Sequence, residues 1–410
     1  MGALIYNELR KIFFKKKTWI AAIILIIMSG IFIYGESDSI KRRAQWNDPK
    51  NLLSEAKDRK TYTEKQIKLL DEKINKANEK DGETLKLQLK TLNNELQVCN
   101  DEIITLEKEI KNPLTEEQKL DKRIENIERR MVAVSKNESY YYHLESEYKE
   151  LKYLKDNNIK MDNGDKLTAF TFINRYISGL GTLFLPLIII ALVGDIVAGE
   201  CTPSTFKFLL IQPFSRKKVL ISKYVTAIIA SIAIVLSIEG AVFLSIGAVN
   251  GFGDSNYPVL TGTKYSVDST AVTKAGEVAY KQVENSTEII TMGKHTLNTM
   301  GYNIIYIIAC ASVGFLVSAL ANSSMTAMIT SILSTVALFV IPQFSKAIMK
   351  MSMYLFTFHG NIEGILTGTT IPQTGNLSFT PYNGIIVLLI TAIACYLISH
   401  IVFTRKDFKI

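Results

Sequence analysis

Long apolar runs alternate with strongly polar segments along this chain, and the run lengths set its architecture. Six runs, near residues 18–34, 176–197, 224–249, 304–320, 325–341 and 385–403, can each cross a hydrocarbon core ~30 Å thick, which takes roughly 17–25 helical residues. The pattern predicts an all-α polytopic membrane protein with six transmembrane helices. Ahead of the first run, residues 4–14 read as an amphipathic helix along the inner membrane surface. Leu4, Ile5, Leu9, Ile12 and Phe13 share one face, with Glu8, Arg10 and Lys11 near its border. Residues 1–17 thus form an interfacial helix and 18–35 the first span. Lys15, Lys16 and Lys17 before an apolar core also fit a signal peptide, but no small-x-small site follows Tyr34, which favours an uncleaved anchor.

The polar insert at 36–165 carries a different period. Leu85, Leu89, Leu92, Leu96, Cys99, Ile103, Leu106 and Ile110 alternate steps of four and three, and Ile67, Leu70, Ile74 and Ala77 do the same upstream across a stutter near Asp81. Asn112-Pro113 breaks the helix. Leu120, Ile124, Ile127, Met131, Val134, Tyr141, Leu144, Tyr148 and Leu151 form a second seam. The pattern predicts an antiparallel coiled-coil hairpin turning at Asn112-Pro113, with arms of about 40 residues and ~60 Å. Asp81-Gly82 as a further turn gives a shorter multi-helix bundle instead. Tyr140, Tyr141, Tyr142 and His143 are either a contact patch or seam packing.

Two further polar segments separate the later runs. Residues 250–299 are rich in Thr, Val, Tyr, Gly and Ser and fit short strands or a lid. Residues 342–383 include an apolar stretch, 344–358, with Lys346 and Lys350, expected as a helix in or dipping into the interface.

Cations in short flanks orient the spans. Arg10, Lys11, Lys15, Lys16 and Lys17, then Lys207, Arg216, Lys217, Lys218 and Lys223, then Arg405, Lys406 and Lys409 all fall on one side of a six-span topology. That side is the cytoplasm, so both termini are cytoplasmic and the insert is extracellular. Between the second and third runs, Asp195 and Glu200 are followed by Thr205 and Lys207 in a short amphipathic piece, then by Pro213 and Arg216. This elbow, at 199–218, and the N-terminal helix form a platform for a docking partner. Within the spans, Pro186 is expected to kink the second. Glu239 lies inside the third, where a carboxylate is costly. It pairs with a cation such as Arg175 on a translocation path, or makes an interhelical hydrogen bond.

Composition narrows the chemistry. The chain has 410 residues, 48% hydrophobic, with net charge +8, and the surplus is accounted for by membrane-flanking cations. There is no basic stripe with interleaved aromatics for nucleic acid. Four scattered cysteines and four scattered histidines show no metal spacing, so the sequence gives no metal site and no catalytic residue. Met292-Gly293-Lys294-His295-Thr296 lacks the upstream glycine and the hydroxyl residue after lysine that a phosphate loop needs. Abundant lysine, isoleucine and asparagine suggest an AT-rich bacterial genome.

The helix around Asn7-Glu8-Leu9-Arg10-Lys11, the six spans, the series Asp195, Glu200, Thr205, Lys207, Leu210, Pro213, Ser215, Arg216 and Lys223, and the ending Phe403-Thr404-Arg405-Lys406-Asp407-Phe408 together resemble permease subunits of the type-two ABC transporter family. The likeness covers 1–35 and about 166–410 and leaves out the coiled coil. It departs at Cys201-Thr202-Pro203-Ser204-Thr205, where the family commonly has Gly-Thr. The large insert is also similar to that of phage-infection-type membrane proteins. The resemblance implies a non-enzymatic subunit that binds no cofactor, with ATP and Mg²⁺ in a separate cytoplasmic ATPase docked on the elbow. It implies a second permease subunit, identical or related, and export of a peptide, lipid-like or drug-like substrate. Membrane lipid is a further partner, and an extracellular protein or substrate is one for the coiled coil. A scaffold or mechanotransmitter of the envelope is the alternative.

Overall fold

The computed structural model describes residues 1–74, 79–134, 139–162, 164, 166–200, 215–272 and 278–405. Their contacts divide into two compact units. One comprises Met1–Tyr34, Asn126–Ile159 and Leu167–Ile410; the other comprises Gly35–Glu125 and Lys160–Lys166. Residues 126–159 therefore cluster with the spans, although the apolar pattern assigns them to the coiled coil.

The membrane unit opens with α1 (Gly2–Phe14) and α2 (Lys16–Asn47), whose first half belongs to this unit. The helical insert holds α3 (Pro49–Ile74), α4 (Glu79–Lys111), α5 (Glu116–Ala133) and α6 (Ser139–Asp156). Then come α7 (Ala169–Gly181), α8 (Phe184–Val193), a 3₁₀ turn at Ala198–Glu200, α9 (Arg216–Asn250), α10 (Met292–Leu320) and α11 (Ser324–Val340). Short helices α12 (Lys346–Lys350), α13 (Ile362–Thr367) and α14 (Thr370–Thr374) precede α15 (Pro381–Arg405).

Among the described residues, five helices are long and apolar enough to cross a membrane: α2, α9, α10, the segment Ser324–Phe344 and α15. A sixth crossing arises if Ala169–Gly181 and Phe184–Glu200, bent by 63°, are one broken span. The five helices and this bent pair overlie the six apolar runs, and several of the helices extend past them. Ser215 accepts from the Lys218 amide, Thr291 from the Lys294 amide, and Ser323 forms a reciprocal box with Thr326.

The bend in the second span precedes Pro186 rather than falling on it. A proline inside a helix clashes with the carbonyl four residues back, so the helix interrupts at Thr182–Leu183 and restarts with Pro186 in its first turn. The interruption is tightly packed. A Cβ on Gly181 would strike the backbone of Gly360, and one on Gly360 would strike Gly181. The Tyr306 hydroxyl of α10 donates to the Gly181 carbonyl at 2.8 Å, satisfying an acceptor that the helix end leaves open.

Helix α10 is the hub, with 61% of its apolar window buried. It packs on α7, α8, α9, α11 and α15. Fully buried small residues, Ala309, Ala311 and Ser312, together with Gly314 against Ile190, let neighbouring backbones approach. Helices α2 and α15 instead present exposed Ile23, Ile27, Ile31, Ile390, Ile393 and Leu397, an apolar surface that only lipid or another apolar protein face can cover.

Segment 250–299 contains strands, so the all-α expectation holds for the spans but not here. Strands β1 (Pro258–Thr261) and β4 (Glu288–Thr291) pair antiparallel, as do β2 (Tyr265–Val272) and β3 (Val278–Gln282). Helix α6 packs on β1 and β3, and β4 leads directly into α10. The expected single helix at 344–358 is instead a series of short turns. Their buried residues, Met353, Phe356 and His359, face the spans. The His359 Nε2–H donates to the Met353 carbonyl at 2.7 Å, which leaves Nδ1 to accept from the Tyr302 hydroxyl at 2.9 Å. A continuous amphipathic helix could not bring the side chain and its own upstream backbone into that bond.

In the second unit α3 and α4 are the most extensively paired helices. They run antiparallel, since Lys57 pairs with Glu107 and Arg59 with Glu102, each at 2.9 Å. The heptad seam of α4 is real: Cys99 and Leu106 are buried, Leu85, Leu89, Leu92, Leu96, Ile103 and Ile110 half-buried, and Val98 and Ile104 exposed. Its close partner is α3, through Ala56, Thr63, Ile67 and Leu70, so the antiparallel pairing is of α3 with α4 rather than of arms joined at Asn112-Pro113. Ala77 and Asp81-Gly82 themselves carry no described side chains. The proline does end α4.

Candidate coupling site

The buried stripe of α9 begins Val219, Leu220, Ser222, Lys223, Thr226, Ala227 and places a lysine in the core. Lys223 is only 2% exposed. Its Nζ lies 2.8 Å from Glu8 Oε2 of α1 and 2.7 Å from Glu200 Oε1, at the end of the second span. Lys11 closes the ring, at 2.7 Å from Glu8 Oε1 and 3.3 Å from Glu200 Oε1. A second cluster centres on Asp195, which pairs with Lys15 at 3.3 Å and with Lys17 of α2. Lys17 also donates to the Leu192 carbonyl at 2.8 Å.

The turn between these acids is tied down from the other side. The amides of Val197 and Ala198 both donate to Ser318 Oγ of α10, at 3.0 and 3.1 Å. Three acids and four lysines thus bind α1, the start of α2, the end of the second span and the start of α9 into one block. Such clustering requires the first and third spans to begin at the end where the second finishes, as an up-down order of the apolar runs demands.

Electrostatics follow from this crowding. Desolvation pushes the Glu8 carboxyl up, but Lys223 and Lys11 outweigh it and hold the group below the usual carboxylate range. Desolvation depresses the Lys11 ammonium, while Glu8 and Glu200 more than reverse this and raise it. A buried ammonium is tolerable only because its donors end on carboxylates.

Of the residues singled out from sequence, Asp195, Glu200, Glu8 and Lys11 converge here. Glu8 lies within the inward stripe with Leu4, Ile5, Leu9 and Ile12, not at its border, and Phe13 is 37% exposed. Arg10 points away and lies over the Phe14 ring at 5.5 Å. Arg216 is the exposed first residue of α9. Thr205, Lys207 and Pro213 lie outside the described residues, as do Cys201 and Pro203. Sequence reasoning gives Lys15 and Lys17 only as flanking charge, and Lys223 as flanking charge and the last position of the permease-like series, with no partner assigned. A cation inside the stripe Val219, Leu220, Thr226, Ala227 was the available signal for Lys223.

The intramembrane site is separate. Glu239 is 2% exposed, and the Asn303 amide of α10 donates to both its oxygens, at 2.8 and 3.1 Å. Its hydrogen-bonding partner is thus an amide on α10, an interhelical hydrogen bond as in one of the two sequence readings, and not the Arg175 guanidinium of the other. Asn303 faces the same inter-helix seam as Glu239, whereas Arg175 sits on the less buried side of α7.

An interfacial helix, a set of apolar crossings with one broken, and a charged block at one end define a multi-pass membrane protein. The family model described as "ABC-2 family transporter protein" matches residues 3–408. The chain belongs to that family, and its body is the membrane-spanning component of an ABC transporter. The match runs through the helical insert as well, which the motif likeness did not reach. No curated protein matches the chain.

Proposed function

We propose that this chain is the permease half of an ATP-driven exporter, and that its charged block transmits the stroke of a separate cytoplasmic ATPase to the spans. The observation that carries this is the buried Lys223 between Glu8 and Glu200. Force applied to the elbow after Glu200 reaches α1, α2 and α9 together, because two ion clusters on the same turn hold them: Glu200 ties α1 and α9, and Asp195 ties the start of α2. ATP and Mg²⁺ belong to the ATPase, and two permease subunits complete the pathway. The charged block then faces the cytoplasm, in accord with the short-flank cations. A peptide, lipid-like or drug-like substrate fits a body whose described spans pair few charges.

The test is purification of the whole complex from native membrane in mild detergent. A copurifying nucleotide-binding subunit is expected, with ATPase activity lost on Glu200→Ala and reduced on Arg216→Glu. Extraction without any such subunit would leave the envelope-scaffold role as the reading to pursue.

A further inference from the structure

A cleft of about 460 Å³ opens between α6, the strands, and the short helices α13 and α14, all within the membrane unit. Its position is fixed by backbone contacts. The Gly262 amide donates to the Leu366 carbonyl at 2.9 Å, joining the β1–β2 turn to α13. Gly368, at φ +89°, lets the chain pass the Thr263 carbonyl where a Cβ would collide. The Glu363 amide donates to Ser178 Oγ of α7 at 2.8 Å, which seats the cleft floor on the broken span.

The lining excludes two ligand classes. Leu260 is its one aliphatic side chain, so a lipid tail would desolvate hydroxyls and amides with nothing in return. No lysine or arginine is among the described lining residues, so a phosphate or sulfate would meet no counter-charge. What remains is a surface of threonines and carboxamides that both donate and accept, with an imidazole and one carboxylate.

Three of these groups retain their full bonding capacity. The Tyr265 hydroxyl, the Gln373 carboxamide and the His143 ring nitrogens have no hydrogen-bond partner among the described residues, although each lines the cleft. His143, from the tyrosine-rich start of α6, lies tilted near Tyr140, with ring centroids 6.5 Å apart, and has no nitrogen bonded among the described residues. The volume is within the range of small-molecule sites, on the order of 300–1,000 Å³.

We propose that this cleft binds an uncharged, hydroxyl-rich ligand of the saccharide class. Vicinal hydroxyls match carboxamides such as Gln373 and Gln282, and the Tyr265 ring offers an apolar surface to the C–H face of a pyranose. The inference stands on the cleft and requires neither the ATPase nor the direction of transport.

Saturation-transfer NMR on the full chain in lipid nanodiscs tests it, with chitotriose and maltotriose as probes and glucose 6-phosphate as the charged control. Transfer to the ring protons of at least one neutral probe is expected, with Kd raised about three- to tenfold by Gln373→Ala and by Tyr265→Ala. Gln373 is exposed, so its variant folds even if Tyr265→Ala does not. Absence of transfer from both neutral probes, affinity unchanged in Gln373→Ala, or preference for glucose 6-phosphate would each overturn the proposal.

Discussion

Lys223 concentrates the energetics of the charged block in one side chain. Its ammonium lies between two carboxylates at 2.7–2.8 Å and is almost sealed from solvent. Breaking a buried pair leaves an uncompensated charge, at a cost of about 3–5 kcal/mol. Lys223→Met is therefore expected to lower the thermal midpoint of the detergent-solubilised protein by several degrees. Adding Glu8→Gln to that variant restores the charge balance around Glu200 and Lys11 and should recover part of the loss. A midpoint unchanged by Lys223→Met would remove the network from the argument. The Glu8 carboxyl titrates below the usual 4.5, so its contribution is present above that pH and is lost as pH falls through the depressed value. Melting curves from pH 6 down to about pH 3 should show this acid limb, and Glu8→Gln should flatten it. Lys11 has the opposite sign: its contribution holds below 10.5 and fades as pH rises past the raised value.

At the scale of elements, the break in the second span depends on two glycines and a tyrosine. Gly181 and Gly360 touch backbone to backbone. Gly181→Ala should therefore prevent correct packing, read as loss of the monodisperse peak in fluorescence-detected size exclusion. Tyr306→Phe keeps the ring and leaves the Gly181 carbonyl unpaired, for a loss of about 1–3 kcal/mol and a correspondingly lower melting midpoint. Pro186 made the distortion legible in the sequence, and its clash with the carbonyl four residues back sets where the helix breaks; that Gly360 and Tyr306 pack against the break was not legible, because both come from distant segments. The same holds in the second unit. The seam through Leu92, Cys99 and Leu106 was readable from its spacing, whereas its partner helix was not, since a heptad stripe fits any neighbour of matching period. Surface pairs such as Arg59–Glu102 decorate that pairing and contribute little, ~0–1 kcal/mol.

For the whole molecule, the two compact units predict separable stability. Replacing residues 49–111, the α3–α4 hairpin, with a flexible Gly/Ser linker should leave the spans folded and the melting transition of the membrane unit in place. A chain that aggregates on this excision would show that the insert is needed to assemble the spans. The sequence alone determined the apolar crossings, the interfacial helix and the resemblance to the permease family, because run length, 3.6-residue period and flanking charge are local properties that lipid and water impose on any chain. It also supplied Glu8, Lys11, Asp195 and Glu200 as candidates. Only the tertiary structure decided that Glu8 and Glu200 share Lys223 while Asp195 takes Lys15 and Lys17, that Glu239 is held by Asn303, that 126–159 clusters with the spans, and that α6, the strands and α13–α14 enclose a polar cleft. Each of those pairings joins residues far apart in the chain, and their partners are chosen by how helices pack, which no local pattern records.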